Sequence, residues 1–206
     1  SHYFEAYNRE NVHLIDITEQ PIERITETGI QTSEGHHELD LIIYATGFNA
    51  ITGALDQIQI EGASGQTLSD KWRDGPSTYN GVLTHGFPNM IMVAGPQSVS
   101  GSTNYPRAIE TGVEWVTGLL KHLFDNDLTR IEATKTAEAS WQEEVIQAQE
   151  RMPFRQSKSW FTGYNSNVEG HGAGQIRYQA YWGGAPRYRS FLEQSVEESY
   201  RNISMD

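Results

Sequence analysis

Four consecutive hydrophobic residues, Leu41-Ile42-Ile43-Tyr44, run into Ala45, Thr46, Gly47 and Phe48. A short continuous apolar run closed by a turn signal reads as a strand buried on both faces, so the pattern predicts a strand over residues 39–45. Gly47 supplies an exit where the backbone must turn or lie close to another segment or a ligand. Upstream, residues 3–11 predict a short helix and residues 12–16 a first strand. Residues 22–26 and 30–33 predict a hairpin about Glu27-Thr28-Gly29, and residues 34–37 a second turn. Together these make a small β meander. Beyond Phe48, glycines at 53, 62, 65 and 75 interrupt the pattern, leaving a short strand at 57–60 and a short helix near 68–72. Residues 90–94, Met-Ile-Met-Val-Ala, predict a second buried strand that ends at Gly95-Pro96.

The period then changes. Ile109, Val113, Val116, Leu120 and Leu123 recur at helical spacing, predicting a helix over residues 105–124. Asn104 suits its N-cap, and Pro106 sits where a missing N–H does no harm. A second helix is predicted over 135–152, with its glutamate-rich face turned to solvent. Residues 153–184 are rich in glycine and aromatics with little periodicity, a loop of the length that is often functional. A last helix starts after Pro186 and carries Tyr188, Phe191, Leu192 and Val196. The reading is one α+β or α/β unit across residues 1–206: a small β meander, helices and a long C-terminal loop region.

Composition narrows the function classes. Fifteen basic against 27 acidic residues give a net charge of −12, which opposes binding to nucleic-acid phosphates or anionic membranes. No apolar run approaches the ~20 residues that span a bilayer. With no cysteine there is no disulfide, thiol nucleophile or thiolate metal site, which fits a cytoplasmic protein. The first residues lack a signal-peptide pattern and an initiator methionine, so the chain is expected to be a processed product or a segment of something longer.

Most candidate chemistry fails on spacing. Gly170-His171-Gly172-Ala173-Gly174 neither follows a predicted strand nor opens a helix, and it lacks the last glycine of a dinucleotide loop. The seven histidines form no metal-ligand pair, so no metal site is expected. Ser98, Ser100 and Ser102 lack a nucleophile elbow, and no catalytic residue is assigned. One arrangement survives: a strand ending at Gly95-Pro96, a small-residue loop, and a helix N-terminus at Asn104-Tyr105. Such an end suits an anionic or carbonyl oxygen, or is simply a capped helix after a core strand; both readings stand.

A set of short motifs falls in a fixed order. They are Asn8-Arg9-Glu10-Asn11-Val12, Pro21-Ile22-Glu23, the stretch from Asp40 to Phe48, Thr52-Gly53-Ala54-Leu55 and Lys71-Trp72. After them come Gly75-Pro76-Ser77-Thr78-Tyr79, Gly86-Phe87-Pro88-Asn89, Gly95-Pro96, Glu114-Trp115, Ser159-Trp160-Phe161-x-Gly163 and Gly183-Gly184. In this order the chain resembles the C-terminal portion of a class B flavoprotein monooxygenase of the Baeyer–Villiger type, over nearly its whole length. Such enzymes use FAD and NADPH to insert oxygen beside a ketone.

The resemblance implies part of a fold with two dinucleotide-binding domains. Residues 1–47 would end the NADP domain and return the chain, and residues 48–206 would be the remainder of the FAD domain. It implies that Asn104 and Tyr105 face the flavin and that Trp160 folds over the nicotinamide cofactor. Gly101 and Ser102, with Tyr105 and Trp160, would shape the substrate pocket for a hydrophobic ketone-like molecule. The family's glycine-rich fingerprints, its signature motif and its active-site arginine have no counterpart here. Gln97 stands where many relatives have glycine, and Tyr105-Pro106-Arg107 replaces a more apolar stretch.

Two functions follow as expectations. One is a monooxygenase segment, not competent alone, whose partner is the N-terminal portion of the same enzyme or a companion chain. An exposed apolar face would then favour association, including a homo-oligomer. The other is a stand-alone monooxygenase-like chain that binds a hydrophobic small molecule, either as a cofactor-free cyclase or isomerase or as a binding protein.

Overall fold

The computed structural model describes residues 2–98, 103–166, 168, 171 and 175–206. The chain divides at Gly47 into two compact units, Ser1–Gly47 and Phe48–Asp206.

In the first unit, helix α1 (Tyr3–Ala6) precedes a three-stranded antiparallel sheet of β1 (Ile22–Thr26), β2 (Gly29–Thr32) and β3 (Gly35–Glu38) in the order β1-β2-β3. The first hairpin forms as its turn residues predict, with Ile25 opposite Ile30 and Thr26 opposite Gly29. Gly29 is required there: its φ is +157°, and a Cβ would lie 1.9 Å from the His37 carbonyl oxygen. The second turn is tighter than expected. β3 begins at Gly35, so His36 and His37 are strand residues paired with Gln31 and Ile30.

The predicted strand over 39–45 does not form. That segment is not part of a strand, and Leu41, Ile43 and Tyr44 are 73 %, 80 % and 67 % exposed. A strand buried on both faces needs a ladder on its edges and a layer above and below, and this unit has only three short strands. Residues 12–16 likewise form no strand.

The second unit holds α2 (Gly53–Asp56), α3 (Leu68–Lys71), α4 (Tyr105–Asp125), β4 (Ile131–Ala133), α5 (Lys135–Glu150), a 3₁₀ turn (Trp160–Thr162), α6 (Ala185–Glu197) and β5 (Ile203–Met205). Thr67 and Thr134 cap α3 and α5, accepting hydrogen bonds from the Asp70 and Ala137 N–H groups. The main core joins Trp115, Leu119 and Leu123 of α4, Trp141 and Val145 of α5, Tyr188 and Leu192 of α6, and Tyr181. β4 and β5 pair antiparallel, Ile131 opposite Met205; at three residues each they are too short to show a period.

Three expectations change here. The buried stripe of α4 is Gly112, Trp115, Val116, Leu119 and Leu123, which leaves Ile109 and Val113 exposed. Neither 57–60 nor 90–94 is a strand: Glu61 makes an isolated bridge to Thr67, and Met92 donates only its N–H to the Val82 carbonyl. The glutamates of α5 are not all solvated, because Glu138 is buried. It receives the Lys71 ammonium at 2.8 and 2.9 Å, the Thr84 hydroxyl at 2.8 Å and the His85 N–H at 3.0 Å.

Candidate functional site

The loop that leads toward α4 is fastened by one side chain. Gln97 is fully buried, and its backbone is left-handed at φ +64°. Its Oε1 accepts from the Thr78 N–H at 3.0 Å and the Thr78 hydroxyl at 2.9 Å. Its Nε2 donates to the Pro76 carbonyl at 2.7 Å, to Gln142 Oε1 at 2.5 Å and to the Tyr178 carbonyl at 3.2 Å. The main chain adds two bonds, Gln97 N–H to the Gln179 carbonyl and Tyr181 N–H to the Ser98 carbonyl, 2.8 and 3.0 Å. The aperiodic segment 175–182 is thereby held as part of the core; Gln179, Ala180, Tyr181 and Trp182 are all buried. Its lack of pattern reflects contacts made one residue at a time.

At the N-terminus of α4, the Asn104 side-chain oxygen accepts from the Arg107 N–H at 3.2 Å, and the Asn104 carbonyl accepts from the Ala108 N–H. Pro106 has no N–H. The Tyr105 side chain is half exposed. Gly101 and Ser102 lie outside the described residues, as does the 170–174 stretch apart from His171.

Trp160 opens the 3₁₀ turn, whose N-cap Ser159 accepts from the Phe161 N–H. Its ring lies 3.7 Å from that of Phe161 and is 45 % exposed. Phe161 packs edge-on against Trp182 at 4.9 Å, and Phe154 packs on Trp182 at 4.6 Å. Trp160 is therefore the solvent-facing end of an aromatic stack with an open face for another planar ring. Among the described residues no hydrogen bond or ring contact joins Trp160 to Asn104 or Tyr105.

The turn is tied down by a residue that the pattern did not single out. The buried Arg177 donates its backbone N–H to the Thr162 carbonyl, Nη1 to the Arg73 carbonyl at 2.7 Å and Nη2 to the Trp72 carbonyl at 3.0 Å. Burial lowers its pKa, against the opposing charges of Asp56 and Asp74. Two glycines make room for it: a Cβ at Gly75 would meet the Arg177 carbonyl oxygen at 2.6 Å, and one at Gly163 the Arg177 side chain at 2.5 Å. The sequence signal for Arg177 is faint, one of three cations, with Arg155 and Lys158, in an aromatic loop. His171 is buried too; desolvation first, then the Arg177 charge, lowers its pKa. Among the described residues no three acidic or histidine side chains are grouped to hold a metal ion.

With this geometry in hand, comparison with known proteins is decisive. The chain is 39% identical over 203 residues to the cyclopentanone 1,2-monooxygenase of Comamonas sp. (strain NCIMB 9872), covering 98% of this chain and 36% of that protein. It is 38% identical over 202 residues to the phenazine N-monooxygenase PhzNO1 of Lysobacter antibioticus, covering 98% and 36%. It is 35% identical over 206 residues to the cyclohexanone 1,2-monooxygenase of Acinetobacter sp, covering 100% and 37%. Along its whole length the chain matches a part of the Baeyer–Villiger flavoprotein monooxygenases.

Solved structures of this family agree. The chain matches a closed crystal structure of cyclohexanone monooxygenase with a TM-score of 0.91 at 36% identity, covering 100% of this chain and 38% of that one. It matches a structure of OTEMO complexed with FAD and NADP with a TM-score of 0.89 at 37% identity, covering 100% and 37%. No protein-family model matches the chain. It spans little more than a third of the length of the curated relatives it matches. No helix among the described residues is long and apolar enough to cross a membrane.

Proposed function

We propose that this chain is the C-terminal part of an FAD- and NADPH-dependent monooxygenase that inserts an oxygen atom beside a ketone carbonyl, giving an ester or lactone. The observation that carries the reading is the match along the whole chain to ketone monooxygenases, of which it spans 36% to 37%. FAD supplies the oxygen-activating chemistry when bound, and NADPH its reducing equivalents. On this reading the Tyr105 N–H and the exposed Tyr105 ring meet the flavin edge, with Asn104 holding the first turn of α4 in place. Trp160 offers its open face to the nicotinamide end. Tyr105 and Trp160, with Gly101 and Ser102, border the pocket of a hydrophobic ketone. No residue of this chain is assigned the chemical step.

The exposed apolar side chains support a missing cover. Leu41, Ile43, Tyr44 and Phe48 in the segment around Gly47, and Ile109, Val113 and Phe124 on α4, are unpartnered. On this reading they are covered by the rest of the same enzyme, which agrees with the share of the relatives that the chain spans. The relative named as a phenazine N-monooxygenase supports a second reading, oxidation of an aromatic nitrogen in place of a ketone.

The test is reconstitution. The chain alone, and the chain mixed with the remaining portion of the enzyme, are each incubated with FAD, desalted, and examined by visible spectrum and by NADPH oxidation with cyclopentanone or phenazine. Flavin retention and turnover only in the mixture support the proposal, and the preferred substrate separates the two oxidations. A colourless, monodisperse chain that transforms a substrate by itself would sink it.

A further inference from the structure

We propose, on the reading that Trp160 meets the nicotinamide cofactor, that Arg177 is a positioning residue that fixes the orientation of the Trp160 ring. Arg177 is only 5 % exposed, so it acts through the turn that carries Trp160 and not by touching the cofactor. Its two ends are held by different parts of the second unit.

The guanidinium is seated in a rigid anchor. It donates Nη1 to the Arg73 carbonyl at 2.7 Å and Nη2 to the Trp72 carbonyl at 3.0 Å. These consecutive carbonyls lie just past the end of α3, where helix carbonyls need donors from outside, and a planar fork reaches both at once. Trp72 is itself fixed. It is 1 % exposed, its indole N–H donates to the Ser77 carbonyl at 3.1 Å, and it shares a core cluster with Leu68, Phe87 and Met92. Two residues before Arg177, the Gln175 amide donates to Asp74 Oδ1 at 3.3 Å, a second tie between the same two segments.

The backbone and stem of Arg177 carry the turn. Its N–H donates to the Thr162 carbonyl at 3.0 Å. A Cβ on Gly163 would lie 2.5 Å from Arg177 Cβ and 2.7 Å from Cγ, so the turn rests directly on the stem. The turn is also closed within itself. The buried Thr162 hydroxyl donates to the Ser157 and Ser159 carbonyls at 2.7 and 2.8 Å, and the Gly163 N–H donates to the Trp160 carbonyl at 3.1 Å. A displacement of Arg177 is therefore passed through Thr162 and Gly163 to Trp160. The Trp160 ring has little else to hold it: it is 45 % exposed and stacks on Phe161. Fixing its backbone beforehand reduces the ordering cost when a cofactor ring settles on its open face.

The experiment is a double-mutant cycle on the complete enzyme, this chain together with the remaining portion, with the Kd of NADP read from the flavin difference spectrum in variants that retain flavin. Arg177→Met keeps much of the stem and removes the fork. It should raise the Kd about fivefold or more, and raise the KM for NADPH by a larger factor than it lowers kcat. Arg177→Lys, whose single ammonium reaches one carbonyl, should recover part of that affinity. In a Trp160→Ala background, Arg177→Met should change the Kd by less than about twofold. An effect of the same size with and without the Trp160 ring, or an unchanged Kd in Arg177→Met, would overturn the proposal and leave the nicotinamide reading intact. An unchanged Kd in Trp160→Ala alone would remove the nicotinamide reading and the proposal with it. Should Arg177→Met fail to retain flavin, Arg177→Lys carries the same cycle: a loss of about twofold that vanishes without the Trp160 ring supports the proposal, and no loss overturns it.

Discussion

A left-handed backbone at a non-glycine residue costs roughly 1–3 kcal/mol, and Gln97 bears that cost at φ +64°. Its side chain offsets the strain with hydrogen bonds to Thr78, Pro76, Gln142 and Tyr178 in a site without water access. Two substitutions separate the effects. Gln97→Ala keeps the strain and strands these buried partners, so it should destabilise by about 2–4 kcal/mol in urea denaturation. Gln97→Gly removes the strain as well and should cost about 1 kcal/mol less. Equal stability of the two variants would argue against the strain. Trp160 belongs to the same scale with the opposite sign. Its ring is half exposed, so Trp160→Ala should change stability by less than about 1 kcal/mol while weakening NADP binding in the reconstituted enzyme, read by fluorescence titration.

Glu144 links residue chemistry to pH. Burial alone would raise its carboxyl pKa, but hydrogen bonds from Arg187 and Tyr181 and the charges of Arg187 and Arg151 outweigh burial and lower it below the ordinary 4.5. A carboxylate whose folded pKa is depressed adds stability that is complete above its unfolded value and is lost as pH falls through the folded one. Glu144→Gln should therefore be less stable than the parent at neutral pH, with the difference shrinking as the solution is acidified below the ordinary carboxylate range. Urea midpoints at a series of pH values measure it; a gap that persists in acid would point to packing instead.

Among the elements, α3 and α5 are tied by one buried ion pair. Lys71 and Glu138 are 13 % and 8 % exposed at their side chains, and Glu138 also satisfies Thr84 and His85. Removing one partner leaves a buried charge, so Lys71→Met should cost about 3–5 kcal/mol. The pair Lys71→Met with Glu138→Leu should recover part of that loss, though it strands the Thr84 and His85 donors. A double-mutant cycle in denaturant measures the coupling. The α4 helix shows what a pattern read alone can mistake. Its period and Asn104 cap were legible, yet the apolar positions cover more than one face. Trp115 and Leu119 won the core, while Ile109 and Val113 stayed outside.

For the whole molecule, the exposed apolar residues lead to a prediction about association. Val113→Lys on the open face of α4 should leave the stability of the chain within about 0.5 kcal/mol. The same change should weaken its assembly with the remaining portion of the enzyme, followed by flavin retention after mixing. Undiminished assembly would show that this face is not the one covered.

The sequence by itself determined the local and the ancestral: the first hairpin through Glu27-Thr28-Gly29, the helix α4 with its Asn104 cap, the helices α3 and α5, and, through the order of its motifs, the likeness to the monooxygenases. These depend on neighbours a few residues apart or on residue identities, and both are written along the chain. Tertiary structure decided the rest. The apolar run at 41–44 is strand-like in composition, but a strand exists only where another edge pairs with it, and neither edge strand of its unit does. Burial of Glu138, Gln97 and Arg177 depended on partners 53 to 105 residues away along the chain, or 19 to 81 for Gln97, distances at which no periodic signal survives.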